Sequence, residues 1–159
     1  MAKHWTDDEA LVDAVSKNLY DALPRLPRRL IHVDAITRAF EMPFSQIQIL
    51  CMLSEREMTI GEISMSLGIA KPNITPLLDA MAARGVLERS RSETDHRIVI
   101  VRLLQKGQEL AGLIQASIAG QVKEWHDDFN LSEVKRLNNA LACLVDAASR
   151  LSEGEGTDQ

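Results

Sequence analysis

Apolar residues recur at spacings of three and four through most of this chain, and the stretch from Met58 to Gly107 adds two predicted strands to that pattern. Thr59 and Glu62 stand three apart there, as in a capping box, with Ile60, Ile63 and Leu67 behind them and Gly68 placed to end the helix. A second helix is predicted from Lys71-Pro72, with Ile74, Leu77, Leu78 and Met81 on one face and Gly85 as its stop. Val86 to Arg89 and Arg97 to Leu103 then read as strands around a polar span. Helix, tight turn, helix and two strands is the order of a winged helix-turn-helix, which lays its second helix in a DNA groove.

Long helices are expected on both sides. Thr6 and Glu9 have capping-box spacing, followed by an apolar stripe of Leu11, Val12, Val15, Leu19 and Leu23. Pro24 and Pro27 interrupt that helix, and Leu26, Leu30, Val33 and Phe40 mark another segment out to about Glu41. Ser45 and Gln48 are placed to open a third helix that buries Ile49, Leu50 and Leu53. After the second strand, Leu110, Ile114, Ile118, Val122, Trp125 and Phe129 predict a helix of about twenty residues. Ser132 is placed to cap a last helix carrying Val134, Leu137, Leu141, Leu144, Val145, Ala148 and Leu151. One winged domain has little left to cover such stripes, so a second copy of the chain is the expected partner. The expected fold is mainly α, a winged helix-turn-helix with a small β-hairpin wing over residues 42–107. Residues 1–41 and 108–152 form the dimerisation region, and 153–159 a flexible tail.

Charge sharpens this reading. The chain carries a net −5, yet Lys71 to Lys106 holds seven basic residues against four acidic ones, a net of +3, so the remainder carries −8. A basic segment inside an acidic protein attracts phosphate while the acidic bulk limits indiscriminate binding. The first ten residues lack a signal-peptide core and no apolar run approaches bilayer length, so a cytoplasmic protein without a membrane partner is expected. Cys51 and Cys143 lie among apolar residues of predicted helices and are expected as reduced core thiols. A redox-sensing role would need an exposed thiol of low pKa. The four histidines are scattered, and neither a nucleophile with a partner nor a glycine-rich phosphate loop occurs, so no enzyme and no cofactor is expected. Glu124, His126, Asp127 and Asp128 are consecutive or nearly so, point in different directions, and read as a solvated face rather than a metal site.

The run from Phe44 to Gly107 resembles the MarR (multiple antibiotic resistance regulator) family of winged-helix regulators. The resemblance rests on Gln46, Ile49-Leu50 and Leu53, Leu67-Gly68-Ile69, Ile74 to Asp79, Arg84-Gly85 and Val86 to Arg89. Its most specific part is the wing, Asp95-His96-Arg97 with Val101, Leu103 and Lys106-Gly107. It implies a homodimer on a pseudo-palindromic operator, usually a repressor, released by a small aromatic or acidic effector or by thiol oxidation. By position, Arg97 matches the wing arginine that enters the minor groove, with Asp95 holding it. Lys71, Asn73, Thr75 and Pro76 occupy the outer side of the recognition helix near its start, Lys71 suited to phosphate, Asn73 to adenine, and Thr75 and Pro76 to a thymine methyl. Arg89 and Arg91 complete the DNA-facing set. Arg28, Arg29, His32 and Trp125 are the candidates for an effector pocket.

Three positions depart from the family pattern. Ala70 and Leu104 stand where side-chain helix caps are usual, and His96 stands where arginine is frequent. Pro76 also lacks the N–H that would reach Pro72, which predicts a recognition helix bent or loosened in its first turns. A winged interaction module without DNA binding, or a thiol-based redox regulator, are the alternative readings.

Overall fold

The computed structural model describes residues 8–22 and 31–154, and the chain divides into two compact units, Met1–Glu41 and Met42–Gln159. In the first unit, α1 (Glu9–Ala22) buries none of its residues, and Leu11, Val15 and Leu19 lie exposed along one stripe. Thr6, Leu23 and the span through Leu30 fall outside the described residues. The segment expected to reach Glu41 is the short α2 (Val33–Ala39), of which Ile36 is buried.

In the second unit, α3 (Phe44–Glu55) starts one residue ahead of the expected Ser45 cap. Pro43 takes the cap position with extended backbone, and its carbonyl accepts from Gln46 and Ile47 at 3.0 and 3.1 Å. Ser45 is already inside the first turn, so its hydroxyl cannot cap. The expected box does open α4 (Ile60–Leu67): Thr59 Oγ1 accepts from the Glu62 N–H at 3.1 Å, and Glu62 Oε2 accepts from the Thr59 N–H at 2.6 Å. Gly68 ends α4 at φ 62°, where a side chain would be strained, and the Ile69 N–H closes onto the Ser64 carbonyl.

Recognition helix α5 (Lys71–Ala83) runs unbroken through Pro76, although Ala70 provides no side-chain cap. Ile74, Leu78 and Met81 are fully buried, and this packing holds the helix where local propensity alone would weaken it. The wing strands are β2 (Leu87–Arg91) and β3 (Val99–Leu103), both displaced toward the loop or the sheet interior from the predicted ranges. A strand absent from the sequence reading, β1 (Met58–Thr59), pairs with β3 as well, which places β3 in the centre of a three-stranded antiparallel sheet. Its two residues are too few to show a pattern, and it exists because Met58 and Thr59 lie opposite Val101 and Ile100.

Helix α6 (Gln105–Lys123) begins after Leu104, again without a side-chain cap. A Cβ on Gly107 would stand 2.2 Å from the Val86 carbonyl oxygen, so only glycine lets α6 cross the entry to β2 this closely. The core of this unit is Ile49, Leu50, Ile63, Ile74, Leu78, Met81, Val86, Val101 and, from α6, Ile114. The predicted run to Phe129 stops at Lys123 and passes into a 3-10 turn, Glu124–Asp127, where the rings of Trp125 and Phe129 pack at 5.8 Å. Helix α7 (Leu131–Gly154) is capped by Asn130 rather than Ser132: Asn130 Oδ1 accepts from the N–H groups of Ser132 and Glu133 at 2.9 and 3.1 Å. It takes in Glu153 and Gly154 of the expected tail, and residues 155–159 fall outside the described residues. Among the described residues, no helix is long and apolar enough to cross a membrane.

Candidate nucleic-acid interface

Burial of Ile74, Leu78 and Met81 turns the other side of α5 outward, and Lys71, Asn73, Thr75 and Pro76 are all exposed there. The Thr75 hydroxyl donates to the Lys71 carbonyl at 3.3 Å, which ties the polar atom to its own helix and leaves the methyl as the group for a base edge. Asn73 is exposed, and its amide has the donor and acceptor that bidentate adenine recognition requires.

The wing is shaped by a residue that the sequence reading passed over. Ser92 is buried; its N–H donates to the Ile98 carbonyl at 2.9 Å, and its Oγ accepts from the N–H groups of Thr94 and Asp95 at 3.3 and 3.4 Å. A serine two or three residues before polar positions is a turn signal, but Ser90, Ser92 and Thr94 look alike in sequence and only pairing register separates them. Asp95 acts differently from expectation. Its carboxylate accepts from the Arg97 backbone N–H at 2.9 Å, so it shapes the turn and does not hold the guanidinium. Two residues is the reach of a carboxylate to a nearby backbone donor, which wins over the longer path to the side-chain tip.

Most of the basic residues of this segment are already engaged. Arg89 pairs with Asp79, tying β2 to the recognition helix, and Arg102 pairs with its cross-strand neighbour Glu88. Arg91 donates to the His96 carbonyl at 3.4 Å, and Lys106 to the Arg84 carbonyl at 2.7 Å. Among the described residues, the side chains of Lys71 and Arg97 have no ion-pair or hydrogen-bond partner.

The effector candidates are spread across the chain. Arg28 and Arg29 fall outside the described residues. His32 is exposed just ahead of α2 in the first unit, and Trp125 is half-buried against Phe129 in the second. Both cysteines are exposed, Cys51 on α3 and Cys143 on α7, in place of the expected core positions. The buried face of α3 runs through Gln46, Ile47, Ile49, Leu50 and Leu53, and Cys51 falls off that stripe. Partial burial against its neighbours, with the Glu55 carboxylate second, pushes the Cys51 thiol up, away from thiolate chemistry. Among the described residues, no group of three or more His, Cys, Asp or Glu is placed to hold a metal ion.

This geometry coincides with a family pattern. The MarR family profile matches residues 44–99. The HTH-type transcriptional regulator MgrA of Staphylococcus aureus is 23% identical over 149 residues, 93% of this chain and 99% of the relative. The organic hydroperoxide resistance transcriptional regulator of Bacillus subtilis (strain 168) is 31% identical over 107 residues, 65% of this chain and 69% of the relative. In fold the chain is similar to wild-type MarR from E. coli, with a TM-score of 0.67 at 20% identity over 80% of this chain and 94% of that one. It is also similar to NadR in complex with 4-hydroxyphenylacetate, with a TM-score of 0.64 at 19% identity over 82% and 91%. The family is one of transcription regulators rather than enzymes. The chain belongs to the MarR family and is a winged-helix, DNA-binding transcription regulator.

Proposed function

We propose that the protein represses transcription as a homodimer in the cytoplasm, bound to a pseudo-palindromic operator and released by a small aromatic or acidic ligand. Residues 42–107 are the reading head in this proposal, and 1–41 with 108–152 the pairing region. The observation that carries it is the uncommitted Arg97 at the wing tip beside an exposed Lys71, Asn73, Thr75 and Pro76. A narrow minor groove attracts an unpaired arginine, and α5 supplies the residues for the adjacent major groove. Two copies paired through their apolar helices would set two such heads about one DNA turn (~34 Å) apart. Arg89 and Arg91 then support the wing and the helix more than they read bases. The aromatic acid bound by NadR supports the ligand class, with His32 and Trp125 as candidates alongside Arg28 and Arg29. The raised Cys51 thiol weighs against release by oxidation at that residue.

The test is to sequence genomic fragments retained by the protein and then measure affinity for the best one. A shared inverted repeat is expected, and Arg97→Ala should weaken binding to it by about 1–3 kcal/mol. Retention of unrelated fragments, unchanged by Arg97→Ala at low salt, would defeat this reading in favour of an interaction module.

A further inference from the structure

The two uncommitted cations of the basic segment share one cleft. Lys71, at the first position of α5, and Arg97, at the wing, line a cavity of about 380 Å³ together with Thr59, Ile60, Gly61, Ile98 and Val99. The cleft lies between the helix pair and the wing, the two parts of the interface that serve different grooves. Gly61, the second residue of α4, is one of its lining residues. The nearest atoms to a Cβ built there are the Lys71 side chain, at 3.6 Å from Cε and 3.8 Å from Nζ, and Thr59 Oγ1 at 3.7 Å. The lysine ammonium thus stands directly over a position where the chain carries no side chain.

From this we infer that the Gly61–Lys71–Arg97 cleft seats one phosphate of the DNA backbone, on the strand that separates the groove read by α5 from the groove entered by the wing. This rests on the DNA-binding reading above and adds the residue that makes room for the contact. Lys71 supplies the charge to the phosphate, Gly61 lets the strand approach, and Arg97 forms the far wall from which its guanidinium continues toward the minor groove. Placing a phosphate here positions both reading elements at once without reading sequence itself. Of the other cations of the segment, Arg89 and Arg102 are paired to carboxylates and Arg91 and Lys106 to carbonyls.

Gly61→Asp tests this in a way that separates binding from folding. The added Cβ is within ordinary contact distance, and an acidic residue in the first turn of a helix is favourable, so the melting temperature should hold or rise. The carboxylate would pair with Lys71 and cancel the seat. The full-length protein should lose affinity about tenfold on specific and unrelated duplexes alike, and the slope of log K against log salt should flatten by about one unit. Gly61→Asn, of the same size without charge, should lose distinctly less, and Gly61→Asp should add little in a Lys71→Ala background. Wild-type affinity and slope in a folded Gly61→Asp protein would overturn the proposal, even where Arg97→Ala still weakens operator binding and the regulator reading stands. So would stabilisation by millimolar inorganic phosphate that Gly61→Asp removes while DNA affinity stays unchanged, since the cleft would then serve a free anion.

Discussion

The winged region and the last helix use apolar residues in opposite ways. Between Met42 and Gly107 most of the large apolar side chains close on one another: Leu50, Ile63, Ile74, Leu78 and Val101 have no exposed surface, and Phe44, Met65 and Ile98 are the exceptions. Along α7 the same residue types form an equally regular stripe, yet Leu144, Val145 and Leu151 are 49%, 67% and 74% exposed. Both patterns follow helical spacing, so periodicity shows that a face is meant to be covered and does not show by what. The winged core is covered by its own chain. Much of the α7 stripe is left exposed by its own chain, and in the proposed homodimer a second copy would cover it.

Truncation should act on the two regions in different currencies. Leu50→Ala removes a fully buried side chain from α3 and should cost about 2–5 kcal/mol in a urea titration, enough to unfold a marginal domain. A cost under 1 kcal/mol would mean that the core is looser than its burial implies. Leu144→Glu, by contrast, should leave the helical content intact and weaken self-association by about tenfold or more, read by sedimentation equilibrium. Unchanged association would place the pairing surface elsewhere and break the contrast between the regions.

Legibility in the sequence divides along similar lines. Devices with local chemistry could be read directly: the Thr59–Glu62 box, the Gly68 stop, the apolar face of α5 and the uncapped start at Ala70. Gly107 could be placed by its likeness to the family, and its physical reason appears only when α6 is seen crossing the Val86 carbonyl. What failed depended on register or on competition between neighbours. Pro43 displaced Ser45 as the start of α3, and Asn130 displaced Ser132 at α7, because the residue two positions earlier already held the N-cap position. Met58–Thr59 became a strand through its partner, not its own pattern. Cys51 looked like a core residue because its neighbours are apolar, although one step along a helix turns a side chain by about 100°. The candidate DNA-facing residues could be named from sequence, but that Lys71 and Arg97 are the uncommitted pair around Gly61 required the ion pairs of the others.

The smallest effect expected here concerns how α4 is started. Burial alone would raise the Glu62 carboxyl; the Thr59 backbone N–H, the Arg56 guanidinium and the Thr59 side chain together outweigh it and hold the carboxyl below its ordinary value. Arg56 Nη1 stands 2.8 Å from Glu62 Oε1, but both side chains are partly exposed, so most of the worth lies in the cap and not in the ion pair. A carboxyl depressed in the folded state stabilises fully above its unfolded pKa and loses that contribution as pH falls through the folded value, below roughly pH 4. Glu62→Ala should therefore cost about 1 kcal/mol at pH 7, and its gap from wild type should narrow at pH 3. Glu62→Gln keeps an acceptor for the Thr59 N–H and should recover part of the loss at pH 7. Helix α7 carries the same device, with the Asn130 N–H donating to Glu133 Oε2 at 2.9 Å. Glu133→Ala should nevertheless have less effect on unfolding of the winged core. An eight-residue helix packed beneath the wing depends on its first turn, whereas a 24-residue helix can fray at one end and leave the core intact. Equal losses from the two alanine substitutions would mean that α7 unfolds together with the core, and that the two regions are one cooperative unit.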